Sequence, residues 1–342
     1  MKYIVFSDIH FGNHSNSDVF NQQCLDFLDF VNDYAQDHFS DDETYGGAIF
    51  MGDWFHNRNT INVKTLNAGV EGLYTLSNIA CGKNAYFLLG NHDLFYKDRR
   101  DIHSIIVPGS DLGIEVINEP IYLDKEKFLL CPWLIGDETL RELITEYNPN
   151  YAFGHFELPS FKLNQKVAMD GVFDPNDYKG PKRILSGHFH TRNGKNNIEY
   201  IGNCFSNDFS DSNDWHNKGF CVLDTDANEL EYHEWIDAPK YCATKISQMN
   251  KIEFGSNMVL KLIDDVGLKP LELNQMKEEL EKMEQINEVY IIPQQLDEEL
   301  VMEENTELDN ISDINTLITS LLSNLDMEKI DNNKLINIYN QL

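Results

Sequence analysis

Five short motifs, each placed at the end of an apolar run, constrain this chain more tightly than anything in its composition. They read D-I-H at Asp8–His10, G-D-W-F-H at Gly52–His56, G-N-H-D at Gly90–Asp93, G-H at Gly154–His155 and G-H-F-H at Gly187–His190. The runs beside them are Tyr3–Phe6, Ala48–Met51, Ala85–Leu89, Tyr151–Phe153 and Arg183–Ser186. They are short and mostly rich in Val, Ile, Phe or Tyr, as buried strands are. Such a chain folds so that loops at strand ends gather carboxylate, amide and imidazole groups at one spot.

Further strand-like runs lie at Lys127–Cys131, Phe220–Leu223 and Leu230–Trp235. Between the runs, Val19–Tyr34 places Phe20, Leu25, Leu28 and Val31 at roughly helical spacing, and Val63–Asn78 does so with Leu66, Val70, Leu73, Tyr74 and Ser77. Strand–helix alternation with short buried strands implies a layered α/β domain. In such sheets ligands gather outside the carboxyl ends of the strands, where the motifs sit.

With 342 residues, the chain is expected to form one large domain, residues 1–240, with smaller appendages. Residues 241–296 read as a small α+β module, in which Val259–Ile263 and Glu288–Ile292 flank a charged helix over Leu271–Ile286. Residues 297–342 read as an acidic linker followed by helices. There Ile314, Leu317, Ile318, Leu321, Leu322 and Leu325 form one apolar helical face. A second short helix is expected around Leu335, Ile336, Ile338, Tyr339 and Leu342. After so acidic a linker, these helices are expected to bind another protein.

The formal net charge is −30, with Asp and Glu numbering 57 against 27 Lys and Arg. A nucleic-acid binder is expected to be basic. Part of the excess lies in 294–342, and part is carboxylate that bound cations would offset. A DNA substrate would therefore need local basic patches, metals or a partner for attraction. There is no apolar run long enough for a membrane span. The N-terminus reads as a first strand rather than a signal peptide. Six cysteines without C-x-x-C pairing read as buried reduced thiols of a cytoplasmic protein.

The residue types of the five motifs suit two divalent cations, which can clamp an in-line phosphoryl displacement and acidify the attacking water. One carboxylate should bridge the ions, because a bridging ligand must carry charge and two lone-pair faces. Neutral imidazoles and an amide oxygen fill the remaining positions. Mixed N/O ligation without thiolate suits Mn²⁺, Fe²⁺ or Zn²⁺ better than Ca²⁺ or Mg²⁺ alone. His92 follows the ligand candidate Asn91 and is expected to face the substrate. Asp93 is expected to hold the His92 tautomer or favour its cationic form.

The set D-x-H, G-D, G-N-H-D, G-H, G-H-x-H resembles the signature of the calcineurin-like metallophosphoesterases, over roughly residues 1–235. G-D-W-F-H and D-I-H-F-G are similar to the forms in the SbcD-type DNA repair nucleases. G-N-H-D-L-F-Y-K-D at 90–98, G-H-F-E-L at 154–158, S-G-H-F-H-T at 186–191 and Tyr200-Ile201-Gly202 ahead of a Gly219-Phe220 strand resemble the T-even phage recombination nucleases of that branch. The resemblance implies a four-layer α-β-β-α sandwich, a capping domain and C-terminal helices that dock an SbcC-type SMC-like ATPase. It implies two metal ions, most often Mn²⁺. Asp8, His10 and His190 would hold one, Asn91, His155 and His188 the other, and Asp53 would bridge. His92 would assist the transition state or protonate the leaving 3′ oxygen, and His56 would place the DNA phosphodiester. It further implies a homodimer, with Val63–Asn78 a candidate surface, and, for the phage branch, host cytoplasm.

The expected activity is 3′-to-5′ exonuclease on duplex ends and endonuclease on single strands, in recombination and double-strand-break repair. The alternatives are a phosphatase or cyclic-nucleotide phosphodiesterase of the same superfamily, and a DNA-end scaffold with structural metals. Candidate DNA contacts are Lys97, Arg99, Arg100 and Arg192, with Lys162, Lys166, Lys179, Lys182, Arg183 and Lys195 also near the motifs. Leu158–Gly180 reads as a long substrate or partner loop.

Overall fold

Alternation along the first strand decides the layering. Tyr3 and Val5 enter one apolar cluster, while Ile4 and Phe6 enter another, because successive strand side chains point to opposite faces. The computed structural model describes residues 1–159, 161, 175–212, 214–252 and 254–293. In chain order its first half runs β1 (Lys2–Phe6), α1 (Asp18–Phe39), β2 (Tyr45–Phe50), α2 (Val63–Ile79), β3 (Asn84–Leu88) and β4 (Ile114–Ile117). Then come β5 (Ile121–Leu123), β6 (Phe128–Cys131), α3 (Asp137–Tyr147), β7 (Tyr151–Gly154), β8 (Arg183–Ser186), β9 (Asn193–Lys195) and β10 (Ile198–Tyr200). Strands β11 (Gly219–Asp224) and β12 (Glu229–Glu234) follow.

Two six-stranded sheets result, ordered β12-β11-β1-β2-β3-β4 and β5-β6-β7-β8-β10-β9. Strands β1 to β4 are mutually parallel, as are β6, β7, β8 and β10. Strand β11 returns antiparallel beside β1. The sheets pack face to face through Tyr3, Val5, Ile49, Met51 and Leu88 against Phe128, Leu130, Tyr151, Phe153 and Leu185. The outer face of the first sheet carries α1 and α2, through Phe27, Leu28, Val31, Leu73 and Leu76. The outer face of the second carries α3, through Leu140 and Ile144. The order of layers is therefore helix, sheet, sheet, helix, as the family resemblance implied.

Helix α1 starts at Ser17, whose side chain accepts the Phe20 N–H, and α2 starts at Asn62, whose side chain accepts the Lys64 N–H. Each cap satisfies a donor left over at the first turn. Helix α2 approaches the core through Gly69 and Gly72. A Cβ at Gly69 would lie 2.4 Å from the Phe55 ring, and one at Gly72 would lie 2.9 Å from Trp54. Trp54 fills that space completely buried and donates its indole N–H to the Gly69 carbonyl. The middle of the G-D-W-F-H motif is thus a packing plug that fixes the loop bearing Asp53.

A third sheet, β13 (Lys240–Lys245), β14 (Met258–Ile263) and β15 (Ile286–Ile292), is parallel throughout and carries α4 (Pro270–Leu280). It has its own apolar cluster around Met258, Leu260, Leu262, Leu280 and Val289. The expected linker and C-terminal helices, with Lys162, Lys166 and most of the loop over Leu158–Gly180, lie outside the described residues. All six cysteines are free, and all but Cys81 are buried. Among the described residues, no helix is long and apolar enough to cross a membrane.

Candidate metal centre

The carboxyl ends of β1, β2 and β3 from one sheet and of β7 and β8 from the other open onto a single spot. The loops after β1 and β2 continue side by side beyond the sheet. Asp8 N–H donates to the Gly52 carbonyl, His10 N–H to Asp53 and Phe11 N–H to Trp54. Asp8, His10, Asp53 and His188 all adopt positive φ, at 59°, 57°, 64° and 82°. Left-handed backbone is unusual for residues with a Cβ and concentrates at functional sites.

Asp8, His10 and His190 offer ligand atoms within 4.8 Å of one another, and so do Asp53, His155 and His188. His10 Nε2 and His190 Nε2 face each other at 3.2 Å. Asp53 joins the clusters, because its Oδ2 lies 3.8 Å from His10 Nε2 and 3.4 Å from His155 Nε2. One end of the Asn91 amide meets His155 Nε2 and His188 Nδ1 at 3.0 Å each and Asp53 Oδ2 at 3.3 Å. Its other end lies 3.0 Å from Arg58 Nη2. While His155 Nε2 and His188 Nδ1 both offer lone pairs, the NH₂ belongs among those acceptors and the oxygen toward Arg58. A proton on His155 Nε2, or a cation among the same lone pairs, requires the reverse.

Charges in the site are matched. Burial pushes Asp53 up, but the His155 and His92 imidazoles outweigh it and hold the carboxylate well below its usual range. Burial likewise pushes His155 down, yet Asp53 reverses this and holds it up at about 9. A proton on His155 thus supplies positive charge that a divalent cation could replace, and ligand binding of that kind releases protons. The donors are carboxylate, amide and imidazole, with no thiolate among them, so the set fits hard or borderline divalent ions.

His92 is tied at both ends. Its backbone N–H donates to Asp53 Oδ1 at 2.8 Å, and its ring Nδ1 lies 2.5 Å from the His56 carbonyl. Nδ1 therefore carries the proton, and Nε2 is left for the site. This corrects the expectation that Asp93 sets the tautomer. The Asp93 carboxylate is buried and accepts backbone N–H groups of Asp53, Trp54, Phe55 and Gly90. It locks two motif loops together. The His56 ring stacks on His92 with centroids 5.4 Å apart. Burial and the His92 imidazole push His56 down to about 4, so His56 is neutral at neutral pH.

The basic residues expected at the nucleic acid are mostly engaged within the chain. Arg100 donates to the Trp133 carbonyl and pairs with Glu119. Arg192 pairs with Glu234 and lies over Tyr232. Arg99 pairs with Asp101 and lies over Tyr96, while Lys97 is exposed. Arg100 and Arg192 are thus each paired with a carboxylate of the chain itself, in keeping with its excess of acidic residues. Sequence reasoning missed Arg58, although it follows G-D-W-F-H by two residues. It also missed Trp133, whose ring lies against His188 and His155, and buried Lys218, which donates to the His190 carbonyl at 2.8 Å between Asp211 and Asp214.

Gly52 and Gly90 set the spacing. A Cβ at Gly52, which has φ 102°, would lie 2.7 Å from Gly90 Cα, and one at Gly90 would lie 2.2 Å from Asp53 Oδ1. Gly90→Ala should displace Asp53 and cost about 2–3 kcal/mol. Urea unfolding of the metal-free protein checks the cost, and Mn²⁺ titration checks the displacement. An unchanged midpoint with unchanged Mn²⁺ affinity would show that the spacing is not required.

Strands of two facing sheets that deliver these clusters define a phosphoesterase scaffold. The family model for calcineurin-like phosphoesterases matches residues 1–192, and the chain belongs to that family. Family members use divalent metals, and the His and Asp clusters fit such a site. The chain is 29% identical over 195 residues to exonuclease subunit 1 of Enterobacteria phage T4, a match covering 54% of each protein. The chain thus aligns with about half the length of that relative.

Proposed function

We propose that the chain is a two-metal DNA nuclease, a 3′-to-5′ exonuclease on duplex ends and an endonuclease on single strands. It would act in recombination and double-strand-break repair beside an SMC-like ATPase. The observation that carries this reading is Asp53 Oδ2 lying between two His-rich clusters, with His92 and His56 beside them. Asp8, His10 and His190 would hold one ion and Asn91, His155 and His188 the other, with Asp53 serving both. Mn²⁺ is the expected ion. When bound, the cations supply Lewis acidity that acidifies water and draws charge from the phosphoryl oxygens.

The chain's own groups do the rest. In its cationic form, with Nδ1–H held by the His56 carbonyl, His92 gives its Nε2 proton to the leaving 3′ oxygen and returns to the neutral Nδ1–H ring, the kind of transfer that contributes about 10²–10⁴-fold. Neutral His56 places the phosphodiester by hydrogen bonding rather than by charge. The relative's name, an exonuclease subunit, supports both a nuclease activity and a partner. Residues 1–240 serve as the nuclease domain, 241–296 as the cap, and 297–342 as linker and ATPase-docking helices. Val63, Leu66 and Tyr74 leave apolar side chains exposed on α2, which supports a homodimer through that helix. A host-cell cytoplasmic setting follows from the likeness to the phage relative.

The test uses purified full-length chain with Mn²⁺ or Mg²⁺. Substrates are end-labelled duplex, circular single-stranded DNA, p-nitrophenyl phosphate esters and cyclic nucleotides. Loss of 3′ nucleotides and nicking of circles are expected. Robust hydrolysis of small esters with intact DNA would identify a phosphatase or cyclic-nucleotide phosphodiesterase instead.

A further inference from the structure

Glu157 belongs to the G-H-F-E-L stretch, yet no step described above uses it. Its Oε1 lies 2.9 Å from His188 Nε2. The other ring nitrogen, Nδ1, lies 3.0 Å from the Asn91 side chain, and His188 offers a ligand atom in the cluster with Asp53 and His155. These contacts decide the tautomer. An ionised carboxylate only accepts, so Nε2 carries the proton and the neutral ring keeps its lone pair on Nδ1, facing the cluster.

The backbone on either side of Glu157 is clamped. Phe156 N–H donates to Ser186 Oγ at 2.9 Å, the Phe156 carbonyl accepts from the Tyr200 hydroxyl at 3.1 Å, and Leu158 N–H donates to that same hydroxyl at 3.1 Å. Phe156 and Leu158 are buried. The Tyr200 ring lies 4.5 Å from Phe189, the next residue after His188. Ser186 and Phe189 therefore tie the Glu157 loop to the His188 loop from both sides. The carboxylate is held at His188 by fixed loop geometry rather than by chance contact of two long side chains.

We propose that Glu157 is a positioning residue, a carboxylate that fixes the tautomer and ring orientation of His188 for a divalent cation held with Asn91 and His155. The inference rests on the two-metal reading of the site. Outer carboxylates of this kind change metal affinity by about 10–100-fold. Because the Glu157 side chain is 41% exposed, removing it should leave the fold intact.

The experiment is calorimetric titration of Mn²⁺ into the metal-free full-length chain. Wild type should bind two ions. Glu157→Ala should weaken one site about 10–100-fold and leave the other within about twofold, with the metal-free melting temperature unchanged. Glu157→Gln should fall between, because its amide oxygen still accepts from Nε2. Nitrogen chemical shifts of His188 in metal-free protein should report the Nε2–H tautomer in wild type and a mixture in Glu157→Ala. Equal affinities in wild type and Glu157→Ala would overturn the inference. So would parallel weakening of both sites with a lower metal-free melting temperature, which marks general loosening. A wild type that binds no pair of ions sinks the underlying metal reading instead.

Discussion

Asp53→Asn is expected to lower phosphodiester hydrolysis about a thousandfold, or ~4 kcal/mol of transition-state stabilisation. The substitution is nearly isosteric, so the buried pocket stays filled. What changes is charge. Asp53 Oδ2 stands between His10 Nε2 and His155 Nε2, and an amide offers that position one neutral oxygen or a nitrogen that cannot ligate. The His92 N–H to Asp53 Oδ1 bond survives only if the amide turns its oxygen to His92. That rotation aims the NH₂ at the place a cation needs. Metal analysis after gel filtration should therefore find fewer than two ions per chain. Two bound ions with wild-type turnover would remove Asp53 from the bridge.

His92→Ala should lower turnover on DNA by about 10²–10⁴-fold while leaving metal content and DNA affinity within about twofold. The backbone N–H that holds Asp53 Oδ1 remains after the substitution, so the metal centre keeps its geometry. The loss should depend on the leaving group. A 3′ alkoxide needs a proton as it departs, whereas p-nitrophenolate does not. Thymidine p-nitrophenyl phosphate should thus be cleaved by His92→Ala at a rate close to wild type. Equal losses on both substrates would assign His92 to charge stabilisation or to the metal centre, not to proton transfer. Because Nδ1 donates to the His56 carbonyl, replacing Asp93 should disturb the loops rather than the His92 tautomer.

The strands that carry the site were legible because each is a short apolar run ended by a polar motif. All eight runs named from the sequence became β1, β2, β3, β6, β7, β8, β11 and β12. Within the two six-stranded sheets, β4, β5, β9 and β10 were not read. They are three or four residues long, and β4, β5 and β9 are partly exposed, so alternation has too few positions to register. Helix α3 escaped because only Leu140 and Ile144 of its residues are buried. The convergence of Asp, His and Asn side chains was legible because their residue types and order are chemically unusual. The partners of Asp93, Arg100 and Arg192 were not. Those depend on which backbone amides or carboxylates the fold brings alongside, and sequence distance hides that. Glu157 and Arg58 sat beside motifs in plain view, but their partners, His188 and Asn91, are 31 and 33 residues away.

The left-handed backbone at Asp8, His10, Asp53 and His188 limits how far this catalyst can be miniaturised. Each such residue costs roughly 1–2 kcal/mol against ordinary backbone, so the four together oppose the site by about 4–8 kcal/mol. The opposing support comes from the paired loops beyond β1 and β2, the Trp54 plug and the four N–H groups on Asp93. A peptide or small scaffold carrying only the motifs would relax into ordinary dihedral angles and scatter its ligands. Transplanting the chemistry into a new protein means transplanting the ends of both sheets with it.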